Sequence, residues 1–135
     1  MKKVLIVVIM LTTTLLSCVK EEDKQQFVPG KGVFIVNEGN FQAGNGSLSF
    51  YNTENGTIYN DLFTGKNKRA LGDIPEYLAT DGSTGYIVVN NSGTIEKIDM
   101  ETMRSLGTIT GLNSPRQMVI YGTTGYVSSL YSNNI

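Results

Sequence analysis

With 135 residues, a net charge of -1 and a pI near 5.4, the chain has no broad basic field to hold phosphates, which sets nucleic-acid binding aside. It has no histidine and one cysteine, so Ser-His-Asp and Cys-His nucleophile systems and every His-containing zinc site are excluded. Fifteen glycines and seven tyrosines against three prolines suit many short strands joined by tight turns, and the mature part is expected to be all-β.

The chain opens with Lys2 and Lys3, followed by an apolar stretch from Val4 to Leu16 interrupted by Thr12, Thr13 and Thr14. At about 13 residues it is shorter than the roughly 20 a membrane-spanning helix requires, and a secretory leader fits it better. Leu15-Leu16-Ser17-Cys18 then resembles the lipobox of bacterial lipoproteins, which implies diacylglycerol on the Cys18 thiol. Residues 1–17 are accordingly read as a lipoprotein signal peptide and residues 18–30 as a lipid-anchored tether. Several acyl chains on one residue would anchor the protein stably, since each buried methylene contributes about 0.8 kcal/mol. Lys20, Glu21, Glu22 and Asp23 resemble an export signal that sends lipoproteins to the outer face of the outer membrane, though a solvated tether has the same composition. The expected location is the outer membrane, at the cell surface.

Beyond the tether the chain repeats itself. Ile74-Pro75-Glu76-Tyr77 is echoed by Ser114-Pro115-Arg116-Gln117, and Thr84-Gly85-Tyr86-Ile87-Val88 by Thr124-Gly125-Tyr126-Val127-Ser128, both at an interval of 40. Asn91-Ser92 and Tyr131-Ser132 keep that register, as do Ile95 and Ile135. An earlier copy is read by matching Gly32 to Gly85 and Phe50-Tyr51-Asn52 to Lys97-Ile98-Asp99, with six residues inserted in its inner loop. The clearest copy predicts strands over Glu76–Thr80, Gly85–Asn90, Thr94–Asp99 and Arg104–Thr110. Asp81-Gly82 and Asn55-Gly56 supply the positive φ angles of tight turns. Four short strands in about 40 residues are the pattern of a β-propeller blade, with a β-sandwich as the rival arrangement. The expected blades are 31–70, 71–111 and an incomplete 112–135, and since about 2.5 blades cannot close a ring, the reading expects an N-terminal fragment of a longer protein.

These residues carry a family resemblance. Pro75, Asp81-Gly82, Gly85-Tyr86-Ile87-Val88-Val89-Asn90, Ile95 and Ile98-Asp99, repeated from Pro115, resemble YVTN-type, YncE-like β-propellers. Val36-Asn37-Glu38-Gly39-Asn40-Phe41, Leu71-Gly72-Asp73, Asn90-Asn91-Ser92-Gly93 and Ser114-Pro115-Arg116 are similar to the surface-lipoprotein branch of that family. That branch includes cobalamin-binding propellers seated on TonB-dependent transporters. The resemblance implies a non-enzymatic protein without cofactor that captures a large ligand for such a transporter. A structural or adhesive surface propeller contacting other proteins is the alternative.

Blade topology sorts the polar loop residues by face. Asn37, Glu38, Asn40, Phe41, Asn90, Asn91, Ser92 and Arg116 are expected to share one face and are the candidate ligand contacts, joined there by Asn113, Ser114, Ser132 and Asn133. Amides both donate and accept, and Phe41 offers a flat apolar surface, which suits a corrinoid or a sugar. The same Asn and Ser residues also suit turns bonded to their own backbone, and Arg116 suits a contact between blades. Asp73, Asp81, Asp99 and Glu101 lack the spacing of a calcium loop, so no metal site is expected. The tyrosines fall largely in strands, where packing is their expected role.

Overall fold

A computed structural model describes residues 26–133. The signal peptide, Cys18 and the tether up to residue 25 lie outside the described residues, as does Ile135.

The fold is all-β and antiparallel, a partial β-propeller. Blade 1 holds β1 (Gly32–Asn37), β2 (Ser47–Asn52) and the two-residue β3 (Ile58–Tyr59), followed by the short helix α1 (Leu62–Asn67). Blade 2 is a complete four-stranded meander of β4 (Pro75–Asp81), β5 (Thr84–Val89), β6 (Thr94–Asp99) and β7 (Ser105–Ile109). Blade 3 contributes β8 (Pro115–Tyr121) and β9 (Thr124–Ser129). The four strands expected for the central repeat are found within a residue or two, because its alternating apolar pattern and its Gly-containing turns agree.

The 40-residue interval is a repeat of backbone geometry as well as of letters. Ile74 and Ser114, each directly before a proline, both take positive φ, 56° and 45°. The Asn90 N–H donates to the Ile74 carbonyl at 2.7 Å, as the Leu130 N–H does to the Ser114 carbonyl at 2.9 Å. Both proline strands are irregular directly after the proline, where the pairing register shifts. A non-glycine residue held at positive φ is strained, so its recurrence before Pro75 and Pro115 marks a junction that blades 2 and 3 both require.

Blade 1 departs from the expected repeat in three ways. Its register differs by one residue, since Gly32 pairs with Asn52 as Thr84 pairs with Asp99. The turns confirm the alignment: the Asn52 side chain accepts the Glu54 and Asn55 N–H groups, as Asp99 accepts those of Glu101 and Thr102. Gly32 therefore corresponds to Thr84, not to Gly85, and the inner loop is five residues longer, nine (38–46) against four (90–93). A one-residue slip exchanges the two faces of a strand, and the true register turns Phe34 and Val36 toward blade 2. The described residues hold three strands there in place of four. Finally, α1 stands where an outer strand was expected: Leu62 and Phe63 bury themselves against the sheet, and the Asn67 amide donates to the Phe63 and Met103 carbonyls and accepts the Ser105 N–H, tying the helix to β7.

Two apolar layers lie between blades. The larger, between blades 1 and 2, gathers Leu48, Phe50, Tyr59, Phe63, Ile87, Val89, Ile98 and Met103 around Phe27, whose ring meets Phe50 and Tyr59 edge-on at 5.5 and 5.4 Å. The smaller, between blades 2 and 3, joins Ala79, Val88 and Ile95 to Met118, flanked by Tyr86, Leu112, Ile120 and Val127. Glu96 is buried at the outer edge of blade 2, where it meets Arg69 at 2.7 Å and accepts hydroxyl bonds from Ser105 and Thr108. Tyrosine packing differs from blade to blade: Tyr59 is buried and Tyr86 half-buried, whereas Tyr121, Tyr126 and Tyr131 of the third repeat are exposed.

Candidate functional site

The loops that join β1 to β2, α1 to β4, β5 to β6 and β7 to β8 open on one side and touch in sequence. The Gly46 N–H donates to the Gly72 carbonyl, the Leu112 N–H to Gly93 and the Leu130 N–H to Ser114. The turns at Thr53–Gly56, Asp81–Ser83 and Met100–Thr102 belong to the opposite side.

Asp73 is the centre of this loop face, and the sequence reading did not single it out as a site residue. Its carboxylate is buried and accepts the Gln42 N–H at 2.9 Å, the Gly44 N–H at 3.4 Å and the Asn91 side-chain amide. Its own N–H donates to the Ser92 hydroxyl at 2.9 Å, and its carbonyl accepts the Asn91 N–H at 3.2 Å. One carboxylate thus fastens the long loop of blade 1 to the inner loop of blade 2. The signal available in the sequence was a carboxylate after Gly72, entering a blade beside amide-rich loops.

The candidate residues divide into two groups. Asn37 donates to the Ser47 and Ser49 hydroxyls at 3.2 and 3.0 Å. The Asn90 side chain donates to the Pro115 carbonyl at 2.9 Å, tying blade 2 to blade 3, while Asn91 and Ser92 hold Asp73. Arg116 reaches Glu76, its counterpart one repeat earlier, at 2.8 Å. Desolvation raises the Glu76 pKa above the ordinary 4.5; Arg116 opposes the shift and Glu38 adds to it. These five side chains fasten the face together, so the turn and blade-to-blade roles considered for Asn90, Asn91, Ser92 and Arg116 are the ones their geometry displays.

Glu38, Asn40 and Phe41 form the second group. All three are exposed on the long loop, with Phe41 at 67%. The loop is ordered from within: the Asn45 side chain accepts the Asn40 N–H at 2.8 Å and the Asn40 carbonyl accepts the Ala43 N–H at 3.0 Å. Gly46 gives it close approach to blade 2, since a Cβ there would stand 2.2 Å from the Pro75 ring. The product is an aromatic ring and a carboxylate presented on a rigid base.

No group of three or more His, Cys, Asp or Glu among the described residues is arranged to hold a metal ion. Within the same residues no helix is long and apolar enough to cross a membrane. A comparison with curated proteins finds no match. The repeat region, residues 31–132, matches the family described as "Domain of unknown function (DUF5074)", and since that match spans well over half of the 135 residues, the chain belongs to this family.

Proposed function

We propose that the protein is a non-enzymatic binding module, lipid-anchored through Cys18 at the surface of the outer membrane, that captures a large, cobalamin-like nutrient for a TonB-dependent transporter. The observation that carries the reading is the loop face: a rigid base organised by Asp73, from which Glu38, Asn40 and Phe41 project. A preordered loop loses little entropy on binding, and an exposed aromatic ring supplies apolar contact area to a large planar ligand. The lipobox and the charged residues after Cys18 support the location, and the resemblance to YncE-like propellers supports the ligand class.

A second reading is a structural or adhesive module that contacts another protein. It is favoured by the engagement of Asn37, Asn90, Asn91, Ser92 and Arg116 in internal bonds, which leaves a projecting knob in place of an amide-lined cup. Titration of the full-length, lipidated protein with cobalamin, followed by heat, separates the two. Saturable binding at micromolar concentration or tighter supports nutrient capture. Absence of binding in that range, together with co-purification of an envelope protein that Phe41→Ser abolishes, overturns capture in favour of protein contact.

A further inference from the structure

We infer that the protein stands on the membrane with its loop face directed outward, because Phe27 fixes the tether to the opposite, turn side of the body. The inference rests on the lipid anchor proposed at Cys18 and adds the direction in which the candidate site is presented.

The segment ahead of β1 belongs to the folded body although it lies outside the repeat. The Phe27 ring is buried between blades 1 and 2, where it meets Phe34 at 6.4 Å as well as Phe50 and Tyr59. Burial of such a ring contributes about 1.5–3 kcal/mol, so the chain is held at residue 27. From there it passes along the turn side. A Cβ on Gly30 would stand 3.0 Å from the Asn52 side-chain amide and 3.4 Å from a Glu54 carboxylate oxygen. The Lys31 carbonyl accepts the Thr53 N–H at 2.9 Å and the Thr53 hydroxyl at 3.1 Å, and the Lys31 ammonium lies 3.8 Å from Glu54. Gly32, paired with Asn52, then starts β1 at the turn end, and Asn37 finishes it at the loop end. The tether therefore joins the body beside Thr53–Gly56, a full strand away from Phe41. Further blades would continue both sides around the ring without exchanging them.

Reach sets the orientation. Eight residue steps separate Cys18 from Gln26, at most about 28 Å at full extension. The six residues of β1 hold the loop and turn sides about 20 Å apart, before the turns and the long loop are added. Turning the loop face down would lift the attachment point by more than this and stretch the tether nearly to its limit. A stretched chain has few conformations, whereas one that leaves directly toward the membrane keeps many. The turn residues Asp81, Asp99 and Glu101 give that side no attraction to anionic headgroups, so the tether and not surface adhesion sets the direction.

Resonance energy transfer tests this on the full-length, lipidated protein in phosphatidylcholine–phosphatidylglycerol vesicles that carry an acceptor dye on a headgroup lipid. Cys18 is the only cysteine of the chain and is acylated in the anchored form, so an introduced cysteine supplies the one free thiol for the donor. Ser83→Cys on the turn side and Ala43→Cys on the loop side are both exposed positions. Transfer is expected to be at least about twofold more efficient from Ser83→Cys, given the strand length between them. Glu101→Cys and Asn113→Cys form a second pair should either protein lose its circular-dichroism spectrum. A flexible Gly-Ser linker of about twenty residues inserted between Asp23 and Lys24 should bring the two efficiencies together, because the body can then turn over. Equal transfer without the linker, or stronger transfer from Ala43→Cys, overturns the inference while leaving the anchor standing. A difference that survives the linker overturns the tether as its cause. Protein that does not float with the vesicles overturns the anchor and the inference with it.

Discussion

At the scale of single residues, the same turn is built twice with different chemistry. Asn52 and Asp99 each accept backbone N–H groups from the residues two and three ahead, but only Asp99 titrates. The Thr102 hydroxyl, then the Thr102 N–H and, less strongly, the Glu101 N–H hold its carboxyl below the ordinary 3.8. A carboxyl depressed in the fold contributes stability that is present above the unfolded value and lost as pH falls through the folded one. Asp99→Asn keeps an acceptor and removes the titration, so its melting temperature should approach that of the wild type as pH falls from about 6 to about 3. A gap between the two proteins that stays constant over that range would remove Asp99 as a source of acid sensitivity. Asp73 makes a larger structural contribution: Asp73→Ala should cost about 2 kcal/mol, measured by urea denaturation, because it frees the Gln42 N–H and the Asn91 amide together. The Asx turns were legible as Asn-Gly and Asp-containing stretches, but the role of Asp73 was not. Nothing local in Leu71-Gly72-Asp73 says that residues 42, 44, 91 and 92 converge there.

At the scale of elements, hydrophobic alternation and Gly-containing turns were sufficient for the central blade. Blade 1 was harder because its inner loop is long and its letters fit two registers, Gly32 with Gly85 or with Thr84. Backbone pairing and the two Asx turns select the second, and a side chain's face follows from that choice. Helix α1 was not legible: Leu62-Phe63-Thr64-Gly65-Lys66-Asn67 is too short for a helical period to stand out, and its stability comes from burying Leu62 and Phe63 and from the Asn67 bonds. The contact of the long loop with blade 2 yields a prediction at this scale. Gly46→Ala would drive a Cβ into Pro75 and the Gly72 carbonyl, so the loop must shift, and stability should fall by about 1–3 kcal/mol. Amide hydrogen exchange at Gly46 should accelerate in parallel; unchanged exchange and stability would show that the loop has another seating.

At the scale of the whole molecule, each blade is stabilised chiefly by its neighbours, as in other stacked repeats. Blade 2, packed on both sides, holds the fully covered Ile87, Val88, Val89, Ile95 and Ile98, whereas the outer faces of blades 1 and 3 keep apolar residues exposed. Ile98→Ala should therefore cost about 3 kcal/mol in thermal or urea unfolding. Val119→Ala, at an exposed position, should change the unfolding of the isolated chain by less than about 0.5 kcal/mol.

On the loop face Asn90, Asn91, Ser92 and Arg116 fasten the base, and Glu38, Asn40 and Phe41 are the proposed ligand contacts. Parallel cobalamin titration and thermal melts of full-length Phe41→Ser and Asn91→Ala test this assignment most directly. Phe41→Ser is expected to weaken binding about tenfold or more with an unchanged melting temperature, and Asn91→Ala to lower the melting temperature by several degrees. A Phe41→Ser protein that binds like the wild type while Asn91→Ala loses binding at full stability would contradict it, and would return the ligand to the amides of the inner loops.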